Sequence, residues 1–213
     1  MWMKVLATAV AAVALAGCGT QVESRGGVIP ADPLIGEHFR RTASFKDDAL
    51  DTVAVISTQP GYTDRRGSLG IAREDNFLRA AITKKTGSTV IVVYQSISYE
   101  APSWRFYRRA NYQTTADPVA VDLRKVSSDV KCSSSRNSQC RYEEDFIFYI
   151  PEDTLRRLVQ ATPQAERHRT RWAFKFGSQR GEDLQQSMAI AEVEGLLLAL
   201  DDYRAKLQGT TPK

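Results

Sequence analysis

Two short runs that are apolar on both faces constrain this chain most. Residues 89–94 carry Val90, Ile91, Val92 and Val93 in succession, and residues 146–150 carry Phe146, Ile147, Phe148, Tyr149 and Ile150. Both runs are too short for a helix, and β-branched and aromatic side chains suit a pleated surface. A strand that is apolar on both faces suits the middle of a sheet rather than its edge. Each run therefore predicts a central strand. Residues 52–57 supply another, and Pro102-Ser103 and Asp117-Pro118 introduce two more at 104–107 and 119–123, where Val119, Val121 and Leu123 alternate. The strands from 89 to 150 follow at roughly hairpin spacing with no helix-length pattern between them, so they predict an antiparallel meander rather than a βαβ array. The clearest amphipathic strand is 171–176, with Trp172, Phe174 and Phe176 inward and Arg171 and Lys175 toward water.

Three segments predict helices. Residues 75–85 place Phe77, Leu78, Ala81 and Ile82 on one face of a 3.6-residue repeat, with Lys84 and Lys85 in the last turn and Gly87 just beyond it. Pro151 breaks the preceding strand and suits a first helical turn, where Glu152 and Asp153 complement the dipole and Leu155, Leu158 and Val159 form a short buried stripe. Residues 189–207 form the C-terminal helix. Its apolar stripe is Ala189, Val193, Leu196, Leu197, Leu200, Tyr203 and Leu207, opposite Glu192, Glu194, Asp201 and Lys206. That helix is too short and too charged to cross a bilayer. The expected fold is α+β: an antiparallel sheet of about five to six strands with the C-terminal amphipathic helix packed on one face.

The N-terminus sets the location. Lys4 supplies a positive start, residues 5–16 form a short apolar stretch interrupted by Thr8, and small residues lead into Cys18. This is the layout of a cleaved secretory signal. Leu15-Ala16-Gly17-Cys18 resembles the lipobox of bacterial lipoproteins. The resemblance implies that the Cys18 thiol is acylated, that residues 1–17 are removed, and that the protein is held to a membrane by lipid. Gly19 after the cysteine implies outer-membrane sorting, facing the periplasm, in a Gram-negative source. Residues 18–48 carry several glycines and prolines without sustained periodicity, and they read as an acylated N-terminus and flexible tether. Residues 49–213 read as one α+β domain, with a loop at 58–70.

Composition agrees with this address. Removal of the signal leaves 196 residues, enough for one buried core, and 28 basic against 25 acidic side chains. So small a surplus, spread along the chain, does not argue for nucleic acid. With Cys18 acylated, Cys132 and Cys140 remain as a pair across a polar, turn-forming segment. In an exported chain they predict a disulfide closing a hairpin. Two cysteines eight apart, with His38 and His168 in the mature chain, do not have zinc spacing, and no metal or cofactor is expected.

Chemistry-bearing motifs are sparse. The chain holds no phosphate-binding glycine loop, no strand–GxGxxG–helix unit and no Gly-x-Ser-x-Gly elbow. His38 falls in the tether and His168 in the polar run Glu166-Arg167-His168-Arg169, settings that do not hold a general base in place. Glu143 and Asp145 would share one face of a strand, about 7 Å apart, with Glu144 turned toward the face of Phe146 and Phe148. They serve either as paired acids or as a solvated strand end. The best binding candidates are Trp104, Arg105, Tyr107 and Arg109, with Arg108 beside them, because cations next to aromatics grip carboxylate, phosphate or sugar. As a strand, Arg105, Tyr107 and Arg109 would emerge on one face. Arg65 and Arg66 in the glycine-rich loop carry no such signal.

The leading expectation is a non-catalytic envelope lipoprotein that binds a protein or envelope component. A second reading is a carrier or sensor for a small amphiphile or anionic glycan, and its sign would be an enclosed apolar pocket lined by Trp104 or Trp172. A third is a hydrolase of envelope polymers, and its sign would be a cleft bringing Glu143 or Asp145 near a second acid.

Overall fold

The computed structural model describes residues 35–58, 65–66, 73–132 and 140–209. Cys18 and its motif, most of the predicted loop at 58–70 and the segment between Cys132 and Cys140 lie outside them. Two antiparallel sheets face each other. The first runs β1 (Ser44–Lys46), β2 (Val53–Ser57), β4 (Arg73–Thr83), β5 (Thr89–Ala101), β9 (Cys140–Ile150) and β8 (Arg124–Cys132) in that order, with β3 (Arg65–Arg66) paired to β4. The second runs β11 (Leu184–Ala189), β10 (Arg171–Gly177), β6 (Arg109–Tyr112) and β7 (Val119–Asp122). Three helices complete the fold: α1 (Gly36–Thr42), α2 (Glu152–Ala161) and α3 (Ile190–Gly209). The expected α+β class, with the C-terminal helix packed on the sheet, is what the structure shows.

The two apolar runs become β5 and β9, hydrogen-bonded to each other in the middle of the first sheet. Aromatic side chains join the sheets: Phe148 of β9 meets Tyr112 of β6 at 6.1 Å, and Phe174 and Phe176 of β10 at 5.7 and 5.9 Å between ring centroids. Trp172, Phe174 and Phe176 all point inward, as their alternation predicts. Each large apolar side chain so buried contributes about 1.5–3 kcal/mol. The same core takes in Leu155 and Leu158 of α2 and Val193, Leu196, Leu200 and Tyr203 of α3. Glu152 at the start of α2 receives both guanidinium nitrogens of Arg204 at 2.7 and 2.8 Å, which fixes α2 against α3.

Several expectations are corrected. Residues 75–85 are not a helix: 75–83 lie in β4, the partner of both β2 and β5. Leu78 and Ile82 stand four apart, as on a helix, but with Ala80 between them they also alternate, and pairing with the strongly β-forming 89–94 decides between the two. Lys84 to Gly87 make the hairpin turn instead of a helix end, with Gly87 at φ 70°. Residues 104–107 are not a strand; the chain there crosses from the first sheet to the second, and pairing resumes at Arg109. The meander is broken for the same reason, since β6 and β7 leave the first sheet and β9 returns to pair with β5.

Ordered structure also starts earlier than residue 49. α1 and β1 fall inside the stretch read as tether, and Phe39 of α1 is fully buried. Gly36 and Gly195 let α1 and α3 approach closely: a Cβ on Gly195 would lie 2.8 Å from the Gly36 carbonyl oxygen and 2.9 Å from the Arg40 amide nitrogen. That approach covers the flank of α3 that reads as wet. Glu192, expected on the polar side, is fully buried beside the end of β2, where the Thr58 hydroxyl donates to its Oε1 at 2.6 Å.

Candidate functional site

The segment carrying the sequence candidates, residues 102–108, is irregular but firmly held. Its centre is Arg105. The Arg105 amide donates to the Tyr99 hydroxyl at 3.0 Å, and its guanidinium carbon lies 4.7 Å from the centroid of the Tyr99 ring. One guanidinium nitrogen donates to the Tyr107 hydroxyl at 3.2 Å. The Arg105 carbonyl accepts from the amides of Gln179 and Arg180 and from the Ser178 hydroxyl, at 3.0, 3.2 and 3.0 Å. The turn between β10 and β11 is thereby locked to the crossing segment.

Beneath the segment lies a buried polar contact inside an aromatic cluster. Tyr99 and Tyr142 stack at 5.4 Å, and Trp104 meets Tyr142 edge-on at 4.6 Å. Glu144 points inward, as its strand position predicts, and its side chain is entirely buried. The Tyr99 hydroxyl donates to Glu144 Oε2 at 2.7 Å, and Lys125 Nζ sits 2.8 Å from Oε1, off the line of a hydrogen bond, as an ion-pair partner. The half-exposed Lys125 also lies over the Trp104 ring at 5.2 Å. Burial, reinforced by the Glu144 carboxylate, holds the Tyr99 hydroxyl protonated well above the usual tyrosine range. Lys125 is thus the cation that faces the buried Glu144.

The four sequence candidates therefore separate. Tyr107 is buried, and Trp104 and Arg105 are half-buried in the packing just described. Arg109 faces water, with its Nε 3.5 Å from Asp122 Oδ1. What the segment presents outward is Phe106. It is 38 % exposed and adopts φ 53°. That conformation costs a bulky L-residue on the order of 1–2 kcal/mol and persists where surrounding bonds over-determine it. Arg180 reaches over the ring at 5.4 Å. Arg108 and Arg109 border a neighbouring hollow of about 470 Å³ with Asp122, Gly177, Ser178 and Gln179. The alternation rule gave no hint of Phe106 as the outward residue. Arg180, more than seventy residues downstream, carries no sequence signal linking it to the segment.

A second concave surface lies on the outer face of the first sheet, away from the core. Asp75, Ser96, Asp145 and Ser127 form one row across β4, β5, β9 and β8, and Ser98, Glu143 and Asp129 form the next. With Arg141, Phe77 and Tyr94 they line a trough of about 550 Å³. Glu143 and Asp145 share its face, as their spacing predicts, and it brings them beside Asp75 and Asp129. Asp145 accepts from the Ser127 hydroxyl. Lys131 at the rim lies 3.4 Å from Asp129 and 3.5 Å from Glu143. Burial and the adjacent Asp145 carboxylate raise the Tyr94 pKa.

Trp172 sits in the filled core and donates its indole N–H to the Gln113 carbonyl at 2.8 Å. Neither tryptophan lines the trough or the hollows beside Arg109, Lys85 and Pro118. His38 lies on α1, edge-on to Phe39, and His168 follows a 3-10 turn (Gln164–Glu166); neither reaches the two surfaces above. Among the described residues no group of three or more His, Cys, Asp and Glu could hold a metal ion, and no helix is long and apolar enough to cross a membrane. Cys132 and Cys140 are directly paired across β8 and β9 and joined as a disulfide, with Cα atoms 4.2 Å apart.

The fold and its surfaces define a two-sheet α+β protein, cross-linked at one hairpin, with an arginine-bordered aromatic on one side and an acidic trough on another. Comparison with family models, with curated proteins and with solved structures finds no match to the chain.

Proposed function

We propose that this is a lipid-anchored protein of a bacterial envelope, exported and acylated at Cys18, whose folded domain acts by binding a protein or envelope component. The observation that carries the binding half is Phe106. A strained, partly exposed aromatic is held outward by bonds from Tyr99, Ser178, Gln179 and Arg180 to its neighbour Arg105, with Arg180 over its ring and Arg108 and Arg109 alongside. Aromatic and arginine side chains carry most of the energy of protein contacts, and a residue already fixed loses little entropy on binding. The disulfide fits an exported chain.

The anchor is tested by metabolic labelling with a clickable fatty acid. The wild type takes up label and Cys18→Ser does not; equal labelling of the two would refute the lipoprotein reading. The binding role is tested by crosslinking in the native envelope and identification of what is captured.

One observation favours a hydrolase of envelope polymers as a second reading, namely the trough that gathers Glu143 and Asp145 with Asp75 and Asp129. Pairs of carboxylates can divide acid and base roles. Cleavage of an envelope glycan by the purified wild type, lost in a stably folded Glu143→Gln, Asp145→Asn variant, would establish it, and no cleavage by the wild type would remove it.

A further inference from the structure

The trough on the outer face of the first sheet has a property that the acids alone do not explain. Ser98, which lines it, is only 7 % exposed, and its hydroxyl has no hydrogen-bond partner. Nearby, Arg141 Nε is also buried without one. Burying a polar group unpaired costs about 1–3 kcal/mol, so one end of the trough holds donors that lack acceptors. The rest is rich in acceptors. Among the described residues four carboxylates line it together with Arg141, with Lys131 beside Asp129 and Glu143 at the rim and Arg79 over the Phe77 and Tyr94 rings, in a chain whose overall charge is positive. The acids occupy fixed strand positions: Asp145 and Glu143 lie about 7 Å apart along β9, and Asp75 lies about 10 Å from Asp145 across two strand spacings.

We infer that this trough is a ligand site for an amino sugar, a saccharide carrying free ammonium groups among its hydroxyls. The assignment rests on the reading of the domain as a binding module and names a ligand for a surface separate from Phe106. Ammonium groups match the carboxylates of Asp129, Glu143 and Asp145. Ring hydroxyls and ether oxygens supply the acceptors that Ser98 and Arg141 lack, and they can also donate to the carboxylates. Ser96 and Ser127 add hydroxyls in the same row, and Phe77 stacked on Tyr94 at 4.8 Å closes one end with an apolar wall. A polyamine would satisfy the acids but leave Arg141 Nε without an acceptor. An acidic sugar would meet the like charges of Glu143 and Asp145. The volume suits a ligand of a few rings.

The test uses the full mature protein, acylated and held in detergent, titrated calorimetrically at mildly acidic pH. The probes are a glucosamine tetramer, its fully N-acetylated counterpart and spermidine. The glucosamine tetramer binds, and the other two bind at least about tenfold more weakly. Its affinity falls with added salt, because the contacts are ionic. Ser98→Ala weakens it about three- to tenfold. Glu143→Gln with Asp145→Asn weakens it about a hundredfold or more, with each variant's melting transition retained. No binding of the tetramer to folded protein, equal or tighter binding of spermidine, or indifference to Ser98→Ala would overturn the assignment. Because partner capture at Phe106 is read separately, failure of the sugar with capture intact removes the trough ligand and leaves the binding role standing.

Discussion

Tyr99 and Glu144 meet inside the first sheet, the phenol of β5 donating to the carboxylate of β9 at 2.7 Å beneath the crossing segment. Two other groups converge on that contact. Lys125 of β8 neutralises the carboxylate, and the Arg105 amide donates to the same phenol. A buried carboxylate stands only when paired, and here the pairing fixes the segment that presents Phe106. Glu144→Ala leaves the Tyr99 hydroxyl without its acceptor and the aromatic cluster with a void. It should cost about 2–4 kcal/mol, and Tyr99→Phe about 1–2 kcal/mol. Urea unfolding of both variants measures this; wild-type midpoints would show that the contact does not hold the segment.

Gly195 tests how α1 docks. Alanine in a helix interior is ordinarily better than glycine by about 1 kcal/mol. At this position the added Cβ would press on Phe39 and on the backbone of Gly36 and Arg40. Gly195→Ala should therefore destabilise the protein by about 1–3 kcal/mol and expose α1 to proteolysis. A gain in melting temperature would mean that α1 is not packed there.

Glu192 gives the domain an unusual pH response. Burial at the start of α3 pushes its pKa from the ordinary 4.5 up to about 8, opposed in part by the Thr58 hydroxyl, which donates to Oε1 at 2.6 Å, and by Arg171, while Asp75 adds to the shift. The folded chain thus keeps a proton that the unfolded chain releases. This contribution is greatest below about pH 4.5, falls as pH rises toward 8 and is level above it. Glu152 works in the opposite sense: its bonds to Arg204 and Arg156 lower its pKa, and the stability they supply is lost on acidification. Glu192→Gln should flatten the decline between pH 5 and 8 and raise stability at pH 8 by roughly 1–3 kcal/mol. Parallel stability–pH curves for the two proteins would contradict this.

The disulfide joins the last residue of β8 to the first of β9, closing the short connection between the two strands. Replacing Cys132 and Cys140 with alanine should lower stability by about 2–3 kcal/mol through the unfolded chain's regained freedom. Mass spectrometry of a non-reduced digest of exported protein should find the two peptides joined. Two thiols open to alkylation would refute the bond.

How far the fold could be read in advance varied with burial. Residues 89–94, 146–150 and 171–176 declare themselves because each is apolar enough to admit one reading, and α2 and α3 carry clear stripes and a proline start. β8 was missed because all nine of its residues are exposed and polar residues dominate, so it exists through pairing with β9 rather than through any alternation. β11 likewise reads as polar, with Gln185, Gln186 and Ser187, and depends on β10. Residues 75–85 fit two periods at once, and a distant partner chose between them. The site was legible in composition but not in direction. The arginine and aromatic cluster at 104–109 was visible, yet the turn at Phe106 put the outward residue one place from where alternation expects it. The trough draws on four strands, and of its acids the sequence spacing related Glu143 and Asp145 alone.

The central claim, that the domain works by contact through Phe106 and its arginines, is tested most directly by placing a photo-crosslinking phenylalanine at position 106 and irradiating intact cells. We expect discrete crosslinked species carrying an envelope protein or polymer, about tenfold weaker when Arg109→Glu and Arg180→Glu are added to a protein that still melts as the wild type does. Interface arginines of this kind are expected to cost more than 1 kcal/mol when removed. No adduct from folded, exported protein, or adducts indifferent to both charge reversals, would contradict the account.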